Sequence, residues 1–364
     1  MKILAVGIVE ESVNSFLKLQ LEALHELGHD IMIVGGDNTN LKGLKFKRKP
    51  SPIFDIWVIY NYIQYVRRNE FDCLLSLGPK SGLICSLVAS ICGIDHIHNF
   101  TGQVWVNYSK IRKYIHVTVD KLILRNSKIS FVDSSGQRDF LISNFNCSGS
   151  KLVLTNKGSI CGVNSKFNDV KREIGDKEKI TVGYLGRLTK DKGIQDFFQV
   201  AAKLKDLCNF KVKGEIESTL VIPDYIGYLP HDDSVLDFFK SIDVFLFPSY
   251  REGFGMAAIE ASAAGLPVIC YDIYGLSDTV VNNKTGIKIS VIGDIEELVN
   301  AVQSYVKDRK KLRDHSYCAR LYAYENFAEK NLKSFYYTFF KNLYRIYYDS
   351  GFRSIIIFTL FFVF

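Results

Sequence analysis

The feature that most constrains this chain is an alternation of strand-like and helix-like patterns that runs once, stops and starts again. A β-branched run, Ile3 to Ile8, is followed by apolar residues at helical spacing (Phe16, Leu17, Leu21, Leu24, Leu27), then by Gly28 and a second run, Ile31 to Val34. Strand, helix, strand in that order is a βαβ unit, and further strands are predicted at Cys73 to Leu77, His96 to Asn99, Ile129 to Val132 and Leu152 to Thr155. A polar, Lys- and Asp-rich passage from Ser165 to Lys179 interrupts the pattern, which restarts with Ile180 to Tyr184. Helices over Ile194 to Lys205, Ser234 to Ser241 and Gly255 to Ala264 then alternate with strands over Phe210 to Lys213, Val244 to Pro248 and Pro267 to Tyr271. At 364 residues the chain is too long for one compact core and comfortable for two. The expected class is α/β, with a first domain over 1–160, a linker over 161–179 and a second domain over 180–325. A C-terminal helix over 326–350 is expected to pack back on the first domain, ahead of an apolar tail over 351–364.

Composition is globular, with 47% hydrophobic and 23% charged residues, and no internal repeat stands out. The eight cysteines form no C-x-x-C pair and several lie in apolar runs, where free thiols pack as small hydrophobes; a reducing, cytoplasmic setting is expected. The chain opens directly on a strand with no signal-peptide pattern, and the tail from Ser354 to Phe364 is 11 residues long, far short of a membrane-spanning helix. That tail could dip into a membrane interface, pack on the protein or be an aberrant end to the reading frame. The net charge of +7 is uneven, with a basic excess of roughly nine between Leu41 and Lys128. Such a surface suits nucleic acid, anionic lipid or a phosphorylated substrate, or is simply a solvated face.

The segment from Phe247 to Pro267 carries the chemistry. It reads as a strand end, a glycine-containing loop and a helix in immediate succession. Gly253 and Gly255 allow close backbone approach to a ligand, and the amides of Gly255, Met256 and Ala257 at the helix start would point at an anion. Glu252 and Glu260 stand too far apart along the chain for a close acid/base dyad, but they can grip two ends of an extended ligand.

This segment resembles the E-x7-E signature of the retaining GT-B glycosyltransferases of family 4, a group that includes bacterial O-antigen and capsule polysaccharide enzymes. Gly186-Arg187-Leu188-Thr189-Lys190-Asp191-Lys192-Gly193 is similar to that family's G-R-L-x-x-x-K-G element. The resemblance implies two Rossmann-like domains facing across a cleft. It implies Arg187 and Lys192 on the donor diphosphate, where a planar fork and a mobile ammonium neutralise the leaving nucleotide in place of a metal. Glu252 would hold hydroxyls of the transferred sugar, the amides of Phe254, Gly255 and Met256 beside Gly253 would hold the phosphates, and Glu260 would take the ribose. The nucleobase is expected near Gly227, Tyr228 and Leu229, in a loop ahead of the Ser234 helix. No Asp-x-Asp occurs, so no metal and no cofactor beyond the nucleotide-sugar co-substrate is expected.

In the first domain the family's frequent Gly-Gly loop is replaced by Val9 to Ser15. His98 to Trp105 resembles a segment of O-antigen and capsule enzymes, which nominates Thr101 and Gly102 as substrate contacts and His98 as a group that orients the sugar or meets the acceptor, or as a structural residue. A helix over Val106 to Asn126 mixes Trp105, Ile111, Tyr114 and Ile115 with Lys110, Arg112 and Lys113, as an interfacial element or a core-packing helix would. The expected activity is α-forming transfer of a hexose or N-acetylhexosamine from a UDP-sugar to a lipid-diphosphate-linked saccharide. The expected place is the inner face of the cytoplasmic membrane, with no nucleic acid as partner. Two alternatives stand beside it, a sugar-nucleotide epimerase and a non-catalytic basic membrane-binding module. A dinucleotide oxidoreductase is disfavoured because G-x-G-x-x-G is absent after the first strand.

Overall fold

The computed structural model describes residues 1–350 apart from 38, 42, 48, 50, 171–177, 218–219 and 231–233. The apolar tail and the middle of the expected linker therefore lie outside the described residues. The chain divides into two compact units. One comprises Met1–Asp133, Gln137–Cys161 and the chain from Lys330 onward; the other comprises Gly162–Glu329 with Ser134–Gly136.

The first unit is built on six parallel strands, β1 (Lys2–Gly7), β2 (Asp30–Gly35), β3 (Cys73–Leu77), β4 (Asp95–Asn99), β5 (Ile129–Val132) and β6 (Leu152–Leu154), in the order β2-β1-β3-β4-β5-β6. Ile3 on β1 lies opposite Ile31 and Cys73 on its two neighbours, and these buried apolar strands need cover on both faces. At the end of β1 a Cβ on Gly7 would stand 2.4 Å from the Val13 side chain, so the helix Glu10–Phe16 closes over the strand where the Gly-Gly loop was absent from the sequence. Helices Pro52–Arg68, Pro79–Cys92 and Lys110–Asn126 follow β2, β3 and β4 in turn. Because each joins two parallel strands, each runs back against them and starts at the carboxyl edge of the sheet.

Two expectations change here. The helix expected from Val106 starts only at Lys110, after a 3-10 turn over Val104–Asn107. Trp105, counted among that helix's apolar residues, lies in the turn and is buried, and its indole Nε1 donates to Asp120 Oδ2 at 2.6 Å. Burial pushes the Asp120 carboxyl up to about 7, against the pull of that hydrogen bond.

The helix Glu329–Ser350 returns its aromatic face to this sheet. Leu332, Tyr336, Phe340 and Tyr344, four residues apart, are buried with Ile3, Ala5 and Phe131, and the Tyr336 hydroxyl donates to the Ile160 carbonyl at 2.7 Å.

The second unit also holds six parallel strands, β7 (Ile180–Leu185), β8 (Cys208–Lys213), β9 (Ile226–Leu229), β10 (Val244–Phe247), β11 (Val268–Tyr271) and β12 (Gly286–Ile289), in the order β12-β11-β10-β7-β8-β9. The chain lays down β7, β8 and β9 in one direction and then returns to place β10 on the other side of β7. Loops leaving the carboxyl ends of β7 and β10 therefore diverge around a crevice, the place where open α/β sheets bind ligands.

Gly227, Tyr228 and Leu229 are not loop, as the sequence reading had it, but edge strand β9, paired with β8. Gly227 and Tyr228 face solvent, so Ile226 is the one deeply buried member of a weak pattern. The polar passage after Ser165 also begins inside the second unit. Phe167 and Val170 are buried with Phe238, Phe239 and Phe327, although polar neighbours mask them in the sequence.

Phe340→Ala removes a buried ring from the contact between the C-terminal helix and the first sheet. It should cost about 3–5 kcal/mol, read as a lower urea midpoint for the unit that contains β1; an unchanged midpoint would mean that the helix contributes nothing there.

Candidate active site

Close approach of backbones at the carboxyl ends of β7, β8 and β10 brings the signature residues together. Gly193, in the left-handed region at φ +74°, sits so near the end of β10 that a Cβ would lie 1.8 Å from the Pro248 carbonyl oxygen. Gly214 is placed in the same way against Gly186, with only 1.9 Å to that carbonyl oxygen, while Leu188 N donates to Glu215 O at 2.9 Å. No residue with a side chain fits at either point without moving the loop.

The consequence is a contact between the two signatures. Lys192 Nζ stands 2.7 Å from Glu252 Oε1 and donates to the Arg251 carbonyl at 3.3 Å, with both side chains largely enclosed. Below them the buried Tyr184 hydroxyl donates to the carbonyls of Arg187 at 2.9 Å and Lys192 at 3.2 Å, which holds the turn between these two residues. Burial, then the charges of Glu252 and Asp191, push the Tyr184 phenol far above its ordinary range, so it stays a donor. Asp191 accepts from Thr189 Oγ1 at 2.6 Å and pairs with Arg251 at 3.5 Å. Its carboxyl lies below the usual range because partial burial, which pulls upward, is outweighed by Thr189, Lys192, Arg187 and Arg251. The Arg187 side chain is exposed and makes no ion pair or hydrogen bond among the described residues.

On the other side of the loop, Gly255 at φ +71° caps the helix Met256–Ala263, and a Cβ there would strike Leu276 at 2.2 Å. Gly275 packs on the Glu252 and Gly253 carbonyls, at 2.1 Å and 3.0 Å from an added Cβ. The amides of Gly255 and Ala257 have no acceptor among the described residues, whereas the Phe254 ring is buried against Phe327, leaving only its backbone to meet a ligand. Glu260, inside that helix, likewise has no hydrogen-bond or ion-pair partner among the described residues. Burial pushes its carboxyl up to about 7, with Lys166 pulling the other way. At the far end of the crevice, Tyr228 is exposed and its hydroxyl donates to the Gly214 carbonyl at 3.2 Å, with Leu229 half-buried beside it.

A buried charge cluster behind the loop escaped the sequence reading. Asp196 accepts from the Tyr250 hydroxyl at 3.0 and 2.9 Å and from the Tyr271 hydroxyl at 2.5 Å, tying the residue two before Glu252 to the helix that follows Gly193. The signal was present: Asp196 shares a helix face with the buried Val200 and Leu204, a place where an acid needs partners.

Thr101, half-buried, and Gly102, at φ +92°, belong to the first unit, in the loop after β4. Of the two readings of His98, a substrate contact or a structural residue, its surroundings fit the second. It is fully buried on β4, with Nδ1 2.8 Å from Ser76 Oγ and its ring wedged against Gly82 and Phe100. Burial, and then neighbouring His96, hold it well below the ordinary imidazole range, so it is a neutral packing residue.

Residues 165–321, which contain the whole crevice just described, match the family model "Glycosyl transferases group 1". With its two parallel-sheet units the fold is GT-B, and the second unit carries the stretch that matches the glycosyl transferases group 1 model. Over nearly its full length it is similar to the capsular polysaccharide biosynthesis glycosyltransferase CapM of Staphylococcus aureus, at 24% identity across 93% of this chain and 98% of that protein. It is 25% identical, over 46% of this chain and 47% of the relative, to the N,N'-diacetylbacillosaminyl-diphospho-undecaprenol alpha-1,3-N-acetylgalactosaminyltransferase of Campylobacter jejuni. Among solved structures, HepE of Anabaena in complex with UDP-glucose superposes with a TM-score of 0.74 at 14% identity, covering 94% of this chain and all of that one.

The raised Glu260 carboxyl sets a sign for pH dependence. The folded chain holds this proton to about pH 7, whereas the unfolded chain releases it near 4.5, so stability falls as pH rises between the two. Glu260→Gln should unfold like wild type near pH 4.5 and be more stable by about 1–3 kcal/mol at pH 8 without ligand. Equal midpoints at pH 8 would mean that the carboxylate already has a partner.

Proposed function

We propose that the chain is a retaining, metal-independent glycosyltransferase of the E-x7-E type, family 4, acting in the synthesis of a bacterial surface polysaccharide of the O-antigen or capsule kind. The donor is a UDP-linked hexose or N-acetylhexosamine, the acceptor a lipid-diphosphate-linked saccharide, and the bond formed is α. One observation carries this reading: Lys192 and Glu252, from separate signatures, meet at 2.7 Å in the switch-point crevice beside unpaired helix-start amides and an unpaired Glu260. A nucleoside diphosphate sugar has matching parts, with anionic oxygens for Arg187, Lys192 and the amides of Gly255 and Ala257, and hydroxyls for the two carboxylates. The names of the relatives support substrate class, one being a capsular enzyme and one acting on an undecaprenyl-diphosphate sugar, and a GT-B neighbour was solved with UDP-glucose.

In the proposed reaction the bond between the sugar's anomeric carbon and the β-phosphate oxygen breaks, and charge builds on that oxygen. Arg187 and Lys192 stabilise it, Glu252 orients the sugar through its hydroxyls, and the departing phosphate takes the acceptor hydroxyl's proton as the new bond forms on the same face. An enzyme with these residues would act at the inner face of the cytoplasmic membrane, where lipid-linked saccharides are extended. Among the described residues no helix is long and apolar enough to cross a membrane.

Mass-spectrometric turnover of a UDP-sugar panel with extracted lipid-diphosphate saccharides tests the proposal. Wild type should lengthen one lipid-linked glycan by one sugar, and Glu252→Ala and Arg187→Ala should each lower kcat/KM by about a hundredfold or more. A donor altered without any acceptor would identify an epimerase instead, and turnover indifferent to both substitutions would refute the assigned site.

A further inference from the structure

The first unit displays an apolar surface that the transfer chemistry does not use. On the helix Pro52–Arg68, Val58, Tyr62 and Val66 face inward and are buried, while Ile53, Ile56, Trp57 and Tyr60 are 89%, 69%, 50% and 58% exposed. Their i, i+3, i+4, i+7 spacing puts all four on one face, opposite the buried one, where a surface helix normally carries polar residues. The first turns of the helix Lys110–Asn126 repeat the pattern, with Ile111, Tyr114 and Ile115 at 80%, 74% and 56% exposed.

Both groups lie toward the starts of crossover helices and so toward the carboxyl edge of the first sheet. A third helix between them fixes that edge, because Lys80 in its first turn pairs with Asp55 at 2.8 Å and donates to the Lys49 carbonyl at 2.9 Å. Cations frame the apolar residues. Lys45, Lys47 and Lys49 are exposed and alternate with the buried Leu44 and Phe46, and Lys110, Arg112 and Lys113 are exposed at the other helix start. Asp55, the acid within the stripe, is already taken by Lys80. Lys45 and Trp57 line one cavity of about 620 Å³, so the cationic segment and the apolar stripe form a continuous surface.

From this arrangement we infer that the carboxyl edge of the first unit's helical layer docks on an anionic lipid bilayer. Ile53, Ile56, Ile111 and Ile115 enter the outer acyl region, Trp57, Tyr60 and Tyr114 sit at the boundary, and the six cations lie among the headgroups. A second copy of the chain fits less well, because a two-fold contact through this face would set the same cations against each other. The surface gives the lipid-linked acceptor reading a place to act and rests on it for its purpose, yet its test needs neither donor nor acceptor, so either can fail alone.

The full chain, without substrates, is mixed with phosphatidylcholine vesicles with or without about a third phosphatidylglycerol, and binding is read by co-sedimentation. Binding to the anionic vesicles is expected to be at least tenfold tighter, and to weaken strongly at about 0.5 M salt. Emission from the exposed Trp57 should shift to shorter wavelength and be quenched by brominated lipid, whereas Trp105, already 3% exposed, should not respond; Trp57→Phe separates the two. The double variant I56S/W57S, altered only at exposed positions, should bind at least tenfold more weakly with an unchanged circular dichroism spectrum. Absence of vesicle binding by wild type, or unaltered binding by the double variant, would overturn the inference. So would a dimer in sedimentation velocity that this variant abolishes, since the stripe would then belong to a second copy.

Discussion

The donor site proposed for this protein depends on one reversal in the second sheet. The chain builds outward from β7 to β9, then returns to lay β10 against β7's free side. Two loops far apart in sequence thereby open onto one crevice, and the ion pair between Lys192 and Glu252 is its direct product. Neither residue would be useful alone. A lysine without the carboxylate would be a mobile surface cation, and a carboxylate without the lysine would repel the phosphates that its neighbours attract.

Backbone contacts hold that pair in place. Glycines at 193, 214 and 275 bring loop against loop at distances that no side chain permits. Tyr184 from below and Tyr250 through Asp196 from behind then fix the two turns with neutral donors. The loops can therefore be rigid while leaving helix-start amides and the Glu260 carboxylate without internal partners. A site that keeps a half-buried acid unpaired gives up some stability, and a ligand hydroxyl that satisfies it recovers that cost on binding.

Much of this was legible in the sequence because strand residues are buried on both faces and helices carry one apolar stripe. Cys73–Leu77 and Ile129–Val132 stand where the pattern put them. The failures share a cause, which is that period and polarity report burial and not position. Edge strand β9 hides because Gly227 and Tyr228 face solvent. Phe167 and Val170 hide because their neighbours are polar, and His98 read as an active-site candidate because a histidine at a strand end looks alike whether it faces a ligand or, as here, Gly82 and Ser76. At the proposed donor site the residue types were readable from the resemblance of the two signature segments. The meeting of Lys192 with Glu252 was not, because it follows from strand order, which a linear pattern does not encode.

The central claim is that the β7 and β10 loops together seat a nucleoside diphosphate, and the most direct test is calorimetric titration of UDP into wild type and Lys192→Ala. One charge-assisted contact to the diphosphate is worth about 1.5–3 kcal/mol, so the substitution should weaken UDP binding by roughly tenfold to a hundredfold with one site per chain retained. UDP bound equally well by both proteins, or by neither, would contradict the account.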